Sequence, residues 1–169
     1  MLKNLAKIQM NSTSKIFIIG FNKTATRSFH DFFVKNGLRG VHWKDGDLAL
    51  NIAKNIAAND NPIAGYEDIT VFSDIECVTR RDKPLIEGYR YFQLFFEWNP
   101  DAAFILNTRN VEDWLKSRMN HAGGLYLDWY KYHWGLNETC ILKKWRLDYY
   151  HHHYQVLDFF MDKPKSLLF

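Results

Sequence analysis

Residues 15–30 collect side chains that can bind an anion. Their sequence is KIFIIGFNKTATRSFH, in which a lysine, an arginine and three hydroxyl groups follow Gly20 within eight residues. An apolar strand that runs through a tight turn into a helix directs backbone N–H groups and the positive end of the helix dipole at one point. The segment therefore predicts a binding site for a phosphate or sulfate group. The candidate anion-binding residues are Asn22, Lys23, Thr24, Ala25, Thr26, Arg27 and Ser28.

A second interpretation of this turn stays open. Strand-turn-helix units are a common building block of α/β proteins, and most of them bind nothing at the turn. The Walker A sequence of nucleotide-binding loops requires a second glycine and a late Gly-Lys pair, whereas Lys23 comes three residues after Gly20. A turn with a purely structural role is therefore the alternative to anion binding.

The hydrophobic pattern predicts the elements that would position the turn. Residues 15–19 form a continuous apolar run, which is typical of a strand buried on both faces of a parallel sheet. Further strands are predicted at 40–43, 69–75 and 102–106. Helices are predicted at 26–37, 47–58, 89–98, 111–120 and 138–162, with an aromatic-rich connection at 125–136.

This alternation of strands and helices predicts an α/β fold with three layers, in which helices cover both faces of a central, mostly parallel sheet. The length of 169 residues suits one domain over residues 1–169, since domains commonly span ~100–200 residues. Residues 167–169 resemble the start of another buried strand. The sequence leaves open whether the chain is truncated there or the short strand is complete.

The composition is that of a folded protein with no strong preference for a polyanionic partner. Aromatic residues make up 17% of the chain and charged residues 24%, which argues against disorder. The formal net charge of +3 is too small to indicate nucleic-acid binding by itself. No run approaches the ~18 apolar residues of a membrane span, and the N-terminus lacks the apolar core of a signal peptide. Cys77 and Cys140 belong to no metal or redox motif, so a cytoplasmic location is expected.

Four distant segments should meet in such a fold, because ligands bind at the carboxyl ends of parallel strands. They are the Lys23 turn and residues 42–43, 74–76 and 108–109. Two of them resemble the donor-binding motifs of the sulfotransferases that use 3′-phosphoadenosine 5′-phosphosulfate (PAPS). The 5′-phosphosulfate loop of that family is commonly K-[ST]-G-[ST]-[ST], and residues 23–28 are similar to it. The family's 3′-phosphate element, a strand ending in Arg with a Ser about eight residues later, is matched by Arg109 and Ser117 in FILNTRNVEDWLKSR.

The resemblance covers roughly residues 15–120, which would form a donor-binding core of P-loop-like fold, and leaves 121–169 as an aromatic-rich helical part. Two positions depart from the family pattern. Ala25 stands where glycine is usual and adds a methyl group where the backbone approaches the phosphate. Arg27 stands where a second hydroxyl is usual, although its guanidinium can also bind an anion.

The resemblance implies transfer of a sulfuryl group from PAPS, without a metal, to a hydroxyl or amine of an acceptor. The acceptor would be a carbohydrate, a lipid or a small molecule, and neither nucleic acid nor a membrane span is expected. Lys23 would stabilise charge on the leaving phosphate oxygen, and Arg109 and Ser117 would bind the 3′-phosphate. Asp74 is the first candidate for the general base, ahead of Glu76 and His42. The oligomeric state is left open.

Three alternatives stay open beside the enzyme. A catalytically silent homologue would keep the loop and bind a nucleotide or anion, which the changes at Ala25 and Arg27 allow. A small-molecule kinase should show the Gly-Lys-Ser/Thr sequence that is missing here. An RNA-binding domain is suggested only weakly, since the basic residues are not grouped with stacking aromatics.

Two aromatic-rich segments invite further hypotheses. The three consecutive histidines 151–153 point about 100° apart on a helix and cannot all ligate one ion, so a metal site is not expected there. The second segment could line an acceptor pocket for a sugar or phenol, with packing in the core or a lid as the alternative. Its candidate residues are Trp129, Tyr130, Tyr132 and Trp134.

Overall fold

The computed structural model describes residues 14–168. Its strands are β1 (Ile16–Ile18), β2 (Gly40–His42), β3 (Val71–Ser73), β4 (Glu76–Cys77), β5 (Ile86–Glu87), β6 (Ala103–Ile105) and β7 (Leu167–Leu168). Its α-helices are α1 (Thr26–Lys35), α2 (Asp47–Ala57), α3 (Phe92–Trp98), α4 (Val111–Met119), α5 (Leu125–Trp134) and α6 (Glu138–Phe159).

A five-stranded parallel sheet forms the centre of the fold, in the order β2-β3-β1-β6-β7. All three side chains of β1 are buried, as are those of β3 and β6, because helices cover both faces of the sheet. The predicted α/β fold with a parallel sheet between helical layers is therefore confirmed. The sheet places the ends of β1, β3 and β6 side by side, and the loops that leave these ends carry the candidate site.

The four predicted strands in residues 15–106 are present, each shorter than its apolar run. Residues 167–168 also form a strand, which pairs in parallel with β6. A short antiparallel hairpin, β4–β5, lies outside the sheet and was not predicted. It starts at Glu76, so it fixes the segment that follows Asp74.

The prediction of a connection at residues 125–136 is wrong, because helix α5 occupies 125–134. Tyr126 and Tyr130 lie one helical turn apart and face the core, where both are buried. Gly124 (φ 93°) and Gly135 (φ 64°) flank the helix in the left-handed region. Aromatic and polar residues alternate along this segment, so its sequence shows no clear helical period. The period is recognisable only in the structure, where both tyrosines contact the buried Arg118.

Helix α6 is the longest helix and packs one face against the core through Ile141, Trp145, Tyr149, His152 and Val156. Asn137 caps its N-terminus by accepting a hydrogen bond from the Cys140 amide (2.9 Å). Among the helices of residues 14–168, none is both long and apolar enough to cross a membrane.

Candidate functional site

The turn between β1 and α1 has the shape of an anion-binding loop. Lys23 (φ 64°) and Ala25 (φ 71°) both adopt left-handed backbone conformations, and Ala25 directly precedes the first turn of α1. Gly20 starts the turn, and a Cβ atom there would lie 2.3 Å from the backbone oxygen of Asn107. Glycine is therefore required at position 20 by the close approach of two backbones.

Asn107, two residues after β6, holds the turn in place. Its Oδ1 accepts a hydrogen bond from the Gly20 amide (3.0 Å), and its Nδ2 donates to the Thr24 carbonyl (2.8 Å). Nδ2 also lies within hydrogen-bond distance of the Thr24 hydroxyl, which itself donates to the Phe21 carbonyl. Sequence reasoning missed this role. The available signal was the position of an amide side chain directly after a buried strand at the ligand-binding edge of the sheet.

The turn forms one wall of a cleft of about 510 Å³. The lining residues are Asn22, Lys23, Ala25, Thr26, Arg27, His42, Trp43, Asp74, Glu76, Thr79, Arg109, His121, Ala122, Tyr126 and Trp129. The cleft brings together most of the predicted site residues from four loops. A second cavity of about 500 Å³ lies on another face, between α4 and α6, and contains none of them.

Cationic side chains line one side of the cleft. Lys23, Arg27 and Arg109 all face it, and Arg109 Nη1 donates to the Lys23 carbonyl at 3.3 Å. Asn22 also lines it, and its side-chain Nδ2 and Oδ1 are buried without a hydrogen-bond partner among the described residues. A buried amide without partners is costly unless a ligand completes it. This group of residues therefore fits an anionic ligand with polar edges.

Three predicted donor residues lie outside the cleft lining. The Thr24 hydroxyl points into the protein toward Phe21 and Asn107. Ser28 is exposed on α1, and Ser117 is half-buried on α4. The structure therefore assembles the charged members of both motifs and leaves these three hydroxyls apart from them.

Asp74 and His42 form the opposite wall with Glu76. Asp74 follows β3 with a left-handed backbone (φ 55°), and its Oδ2 lies 3.5 Å from His42 Nε2. His42 Nδ1 is 2.9 Å from the Ser73 hydroxyl. Burial raises the pKa of Asp74, and the charges of Arg27 and Lys23 oppose that shift. Burial, followed by the charge of Arg27, lowers the pKa of His42 to about 4, so this imidazole is neutral at neutral pH.

Glu76 lies deeper than Asp74. Its Oε1 accepts a hydrogen bond from the Tyr126 hydroxyl (2.9 Å), while its Oε2 is buried without a partner among the described residues. Burial and the neighbouring charge of Asp74 raise its pKa. Two carboxyl groups in one poorly solvated site do not both ionise readily, so the pair favours one carboxylate and one carboxylic acid.

Arg118 lies behind this wall and is fully buried. Its Nη2 donates to the hydroxyls of Tyr126 (3.1 Å) and Tyr130 (2.7 Å) and lies 3.7 Å from Glu87 Oε1. Its guanidinium is within 4.6–5.6 Å of five ring centroids, those of Phe21, Trp114, Tyr126, Tyr130 and Trp145. Sequence reasoning missed Arg118, since nothing in the local sequence of α4 indicates that this charge is buried.

His121 is a further cleft residue that sequence reasoning missed. Its Nδ1 lies 3.5 Å from Lys23 Nζ, and burial, followed by the charge of Lys23, lowers its pKa. Its position after α4 gave no signal in the sequence, because the 3₁₀ turn over residues 121–124 brings it back toward the loop.

The aromatic candidates for an acceptor pocket separate in the structure. Trp129 lines the cleft, together with Trp43 and Tyr126. Tyr130 is buried beside Arg118, Tyr132 is exposed, and Trp134 packs on Tyr130 with ring centroids 4.5 Å apart. Only one of the four therefore reaches the site.

The three consecutive histidines point in different directions. His151 is exposed, and His153 Nδ1 lies 2.8 Å from the Tyr149 carbonyl. His152 is buried and donates to the Ile19 carbonyl (2.7 Å), and burial lowers its pKa to about 3. Within residues 14–168, no group of three or more His, Cys, Asp or Glu side chains is arranged to hold a metal ion.

The parallel sheet, the cationic turn after β1 and the cleft at the strand ends define an α/β protein of the P-loop-like class. A family model described as a sulfotransferase domain matches residues 15–166, and the chain belongs to this family. No curated protein sequence matches the chain significantly.

Proposed function

We propose that this protein transfers a sulfuryl group from PAPS to a hydroxyl or amine of an acceptor. The observation that supports the proposal is that charged residues of both candidate donor motifs line one cleft, where Arg109 Nη1 contacts the Lys23 carbonyl across 86 sequence positions. The carboxyl groups of Asp74 and Glu76 line the same cleft. Cations for the donor and a base for the acceptor are thereby available in one site.

Lys23 and Arg27 would bind the 5′-phosphosulfate with the backbone amides at the start of α1. The Asn22 side chain, buried without a protein partner, would complete its hydrogen bonds on the donor. Arg109 would bind the 3′-phosphate, which distinguishes PAPS from ATP. Ser117 would join it only if α4 or the donor brings that half-buried hydroxyl within reach.

The reaction exchanges one sulfur–oxygen bond for another bond to sulfur. The bond between sulfur and the 5′-phosphate oxygen breaks, and the acceptor oxygen or nitrogen forms a new bond to sulfur. Lys23 stabilises the charge that develops on the leaving phosphate oxygen. The products are the sulfated acceptor and adenosine 3′,5′-bisphosphate.

The acceptor also loses a proton, and Asp74 is the proposed base. Its raised pKa lies closer to neutrality than that of an ordinary carboxylate, which strengthens it as a base while it can still ionise. His42, with its Nε2 3.5 Å from Asp74 Oδ2, would orient the carboxylate. Glu76, whose pKa is raised by burial and by Asp74, would hold the proton that the pair retains.

Calorimetric titration with adenosine 3′,5′-bisphosphate, in parallel with ATP, tests the donor site. We expect tight binding of the bisphosphate, weak binding of ATP, and loss of bisphosphate binding in Lys23→Ala and Arg109→Ala. Lys35→Ala, at the far end of α1, is the matched control and should bind normally. A folded protein that does not bind the bisphosphate would refute the donor assignment, and preference for ATP with magnesium would favour a kinase.

Transfer of ³⁵S from labelled PAPS to a panel of acceptors then tests catalysis. Asp74→Asn should abolish transfer while leaving bisphosphate affinity nearly unchanged. A protein that binds the bisphosphate but sulfates no carbohydrate, lipid or small-molecule acceptor would match the catalytically silent homologue.

A further inference from the structure

The wall formed by Asp74 and Glu76 holds two poorly solvated carboxyl groups without a lysine or arginine partner among residues 14–168. The ion-pair contact of Asp74 is with the imidazole of His42, which is neutral at neutral pH. Glu76 accepts a hydrogen bond from the Tyr126 hydroxyl and forms no ion pair within the described part of the chain. In the free protein, the two groups therefore retain a proton in place of a cation.

Glu87, the residue opposite Glu76 in the β4–β5 hairpin, shows what a buried carboxylate in this protein normally has beside it. Arg90 Nε lies 2.8 Å from Glu87 Oε2, and Arg118 Nη2 lies 3.7 Å from Glu87 Oε1. Buried charges are paired because an isolated charge is costly to remove from water. A cation that completes the Asp74–Glu76 wall in the same way would come from a ligand in the cleft.

The free polar atoms of this wall are hydrogen-bond acceptors. Asp74 Oδ1 and Glu76 Oε2 are buried and have no hydrogen-bond partner among the described residues, and both side chains line the cleft. Glu76 is only 4% exposed, so water does not readily satisfy it. An ammonium group offers three N–H donors and no acceptor, whereas a hydroxyl offers one donor and two lone pairs that need donors of their own. The wall therefore suits an ammonium group better than a hydroxyl.

Aromatic rings accompany the carboxyl groups. Trp43, Tyr126 and Trp129 line the same cleft. The face of an aromatic ring attracts a cation, and its apolar area can cover the carbon skeleton that carries the cation. Carboxyl groups beside aromatic rings are thus surroundings that favour an organic ammonium ion.

The charges of the cleft are divided between its two sides. Lys23, Arg27 and Arg109 line one side, where the anionic donor would bind, and the two carboxyl groups line the other. This division suits two ligands of opposite charge. An alcohol carries no charge and would leave the acidic side unmatched.

We propose that the acceptor is a primary amine, which binds as its ammonium ion to the carboxyl groups of Asp74 and Glu76 beside Trp43 and Trp129. This inference rests on the proposed function, which leaves hydroxyl and amine acceptors open, and it narrows the acceptor to one chemical class.

Sulfation of an ammonium ion releases two protons, and the wall supplies two carboxyl groups to receive them. Binding of the ammonium displaces the proton that the free pair retains, so both groups are carboxylates before transfer. Asp74 takes one N–H proton, and the freed lone pair of the nitrogen bonds to sulfur as the bond from sulfur to the 5′-phosphate oxygen breaks. The electron pair of that bond stays on the phosphate oxygen. Glu76 takes the second proton, and the product is a sulfamate with one N–H group.

Other charged and titratable groups around the pair come from several elements. They are Lys23 in the turn, Arg27 on α1, His42 at the end of β2, Glu87 on β5, Arg118 on α4 and Tyr126 on α5. An amine and an alcohol with the same carbon skeleton meet the same set of groups. A difference between the two ligands therefore reports the interaction of the ammonium group.

Calorimetric titration of the full chain, saturated with adenosine 3′,5′-bisphosphate, tests the proposal with matched amines and alcohols. The pairs are 2-phenylethylamine and 2-phenylethanol, cyclohexylamine and cyclohexanol, and glucosamine and glucose. We expect at least one amine to bind at least ~10-fold more tightly than its alcohol, because only the amine pairs with the buried carboxylates. Titrations at about pH 7 in buffers of different ionisation enthalpy should show proton release with that amine and none with the alcohol. If no amine binds more tightly than its alcohol, or if the amine binds without proton release, the proposal is overturned.

Carboxamide variants test whether the two carboxyl groups are the site. Asp74→Asn and Glu76→Gln should each weaken binding of the amine at least ~10-fold, and Glu76→Gln should also remove the proton release. Asp128→Asn is the matched control, because Asp128 is an exposed carboxylate on α5 next to Trp129 and does not line the cleft. Normal bisphosphate binding establishes that each variant is folded. Equal amine affinity in Glu76→Gln and Asp128→Asn would place the ammonium elsewhere and refute the assignment.

Transfer of ³⁵S from labelled PAPS to the same pairs separates this inference from the proposed function. We expect a labelled sulfamate from the amine that binds and no sulfate ester from its alcohol. Sulfation of the alcohols alone would overturn the amine assignment and leave sulfuryl transfer intact. A folded protein that does not bind the bisphosphate would instead refute the donor site, on which both proposals depend.

Discussion

Replacing Asn107 with alanine tests whether one buried amide holds the turn between β1 and α1 in place. The substitution removes the acceptor of the Gly20 amide and the donor to the Thr24 carbonyl. Asn107 is only 4% exposed, so its two backbone partners lose their hydrogen bonds in a region with little access to water. A buried polar group left without a partner costs ~1–3 kcal/mol.

The expected loss of stability is therefore about 3 kcal/mol, since two groups are affected and water from the adjacent cleft can solvate them in part. This is a large fraction of the ~5–15 kcal/mol that stabilises a typical domain. Urea unfolding measures it directly. Bisphosphate affinity should fall in the same variant, because Lys23 lies between the two anchored backbone positions.

Asn110→Ala is the matched control. Asn110 caps α4 by accepting hydrogen bonds from the amides of Glu112 (3.0 Å) and Asp113 (3.3 Å), three residues from Asn107 and at an exposed position. Loss of this cap should cost ~1 kcal/mol and leave bisphosphate affinity unchanged. If Asn107→Ala and Asn110→Ala lose equal stability, or both bind the bisphosphate like wild type, the proposed role of Asn107 is refuted.

Three further substitutions probe the strain and the buried charges of the site. Ala25→Gly should stabilise the fold by ~1 kcal/mol in urea unfolding and strengthen bisphosphate binding, because glycine adopts φ 71° without strain; a loss of stability would contradict this. Glu76→Gln should increase stability more at about pH 8 than at about pH 5. Because the pKa of Glu76 is raised in the folded state, the folded protein keeps a proton that the unfolded chain has already released. The stability of the wild type therefore falls as the pH rises from the unfolded-state pKa to the folded-state pKa. Equal gains at both pH values would show that Glu76 titrates normally. Arg118→Met should cost ~1–3 kcal/mol in urea unfolding, because it removes a hydrogen-bond donor from the buried Tyr126 and Tyr130 hydroxyls, and an unchanged stability would argue against a charged role in the core.

Much of the cationic side of the cleft could be predicted from local sequence. The run 15–19, the turn after it and the start of α1 are specified by neighbours in the chain, because hydrophobic period and helix signals act over a few residues. The position of Arg109 after β6 is also specified by neighbouring residues in the chain. Lys23, Arg27 and Arg109 were expected to meet, and they line one cleft. Their binding and catalytic roles remain predictions.

Residues that act through distant contacts could not be found in this way. Asn107 contacts Gly20 across 87 positions, and Arg118 contacts the carboxyl group of Glu87 across 31. The directions of the Thr24 and Ser28 hydroxyls were also beyond the sequence, since a motif states which residues are present and not which way each side chain points.

The sequence by itself determined the class of fold, the order of the four sheet strands within residues 15–106 with the helices between them, and the cationic turn, because each depends on local periodicity and local backbone preference. Tertiary structure alone decided that Asp74 and Glu76 share one poorly solvated wall and that Arg118 is buried among aromatic rings. Burial and pairwise charge depend on which segments meet in space. They arise only when the sheet has brought those segments together.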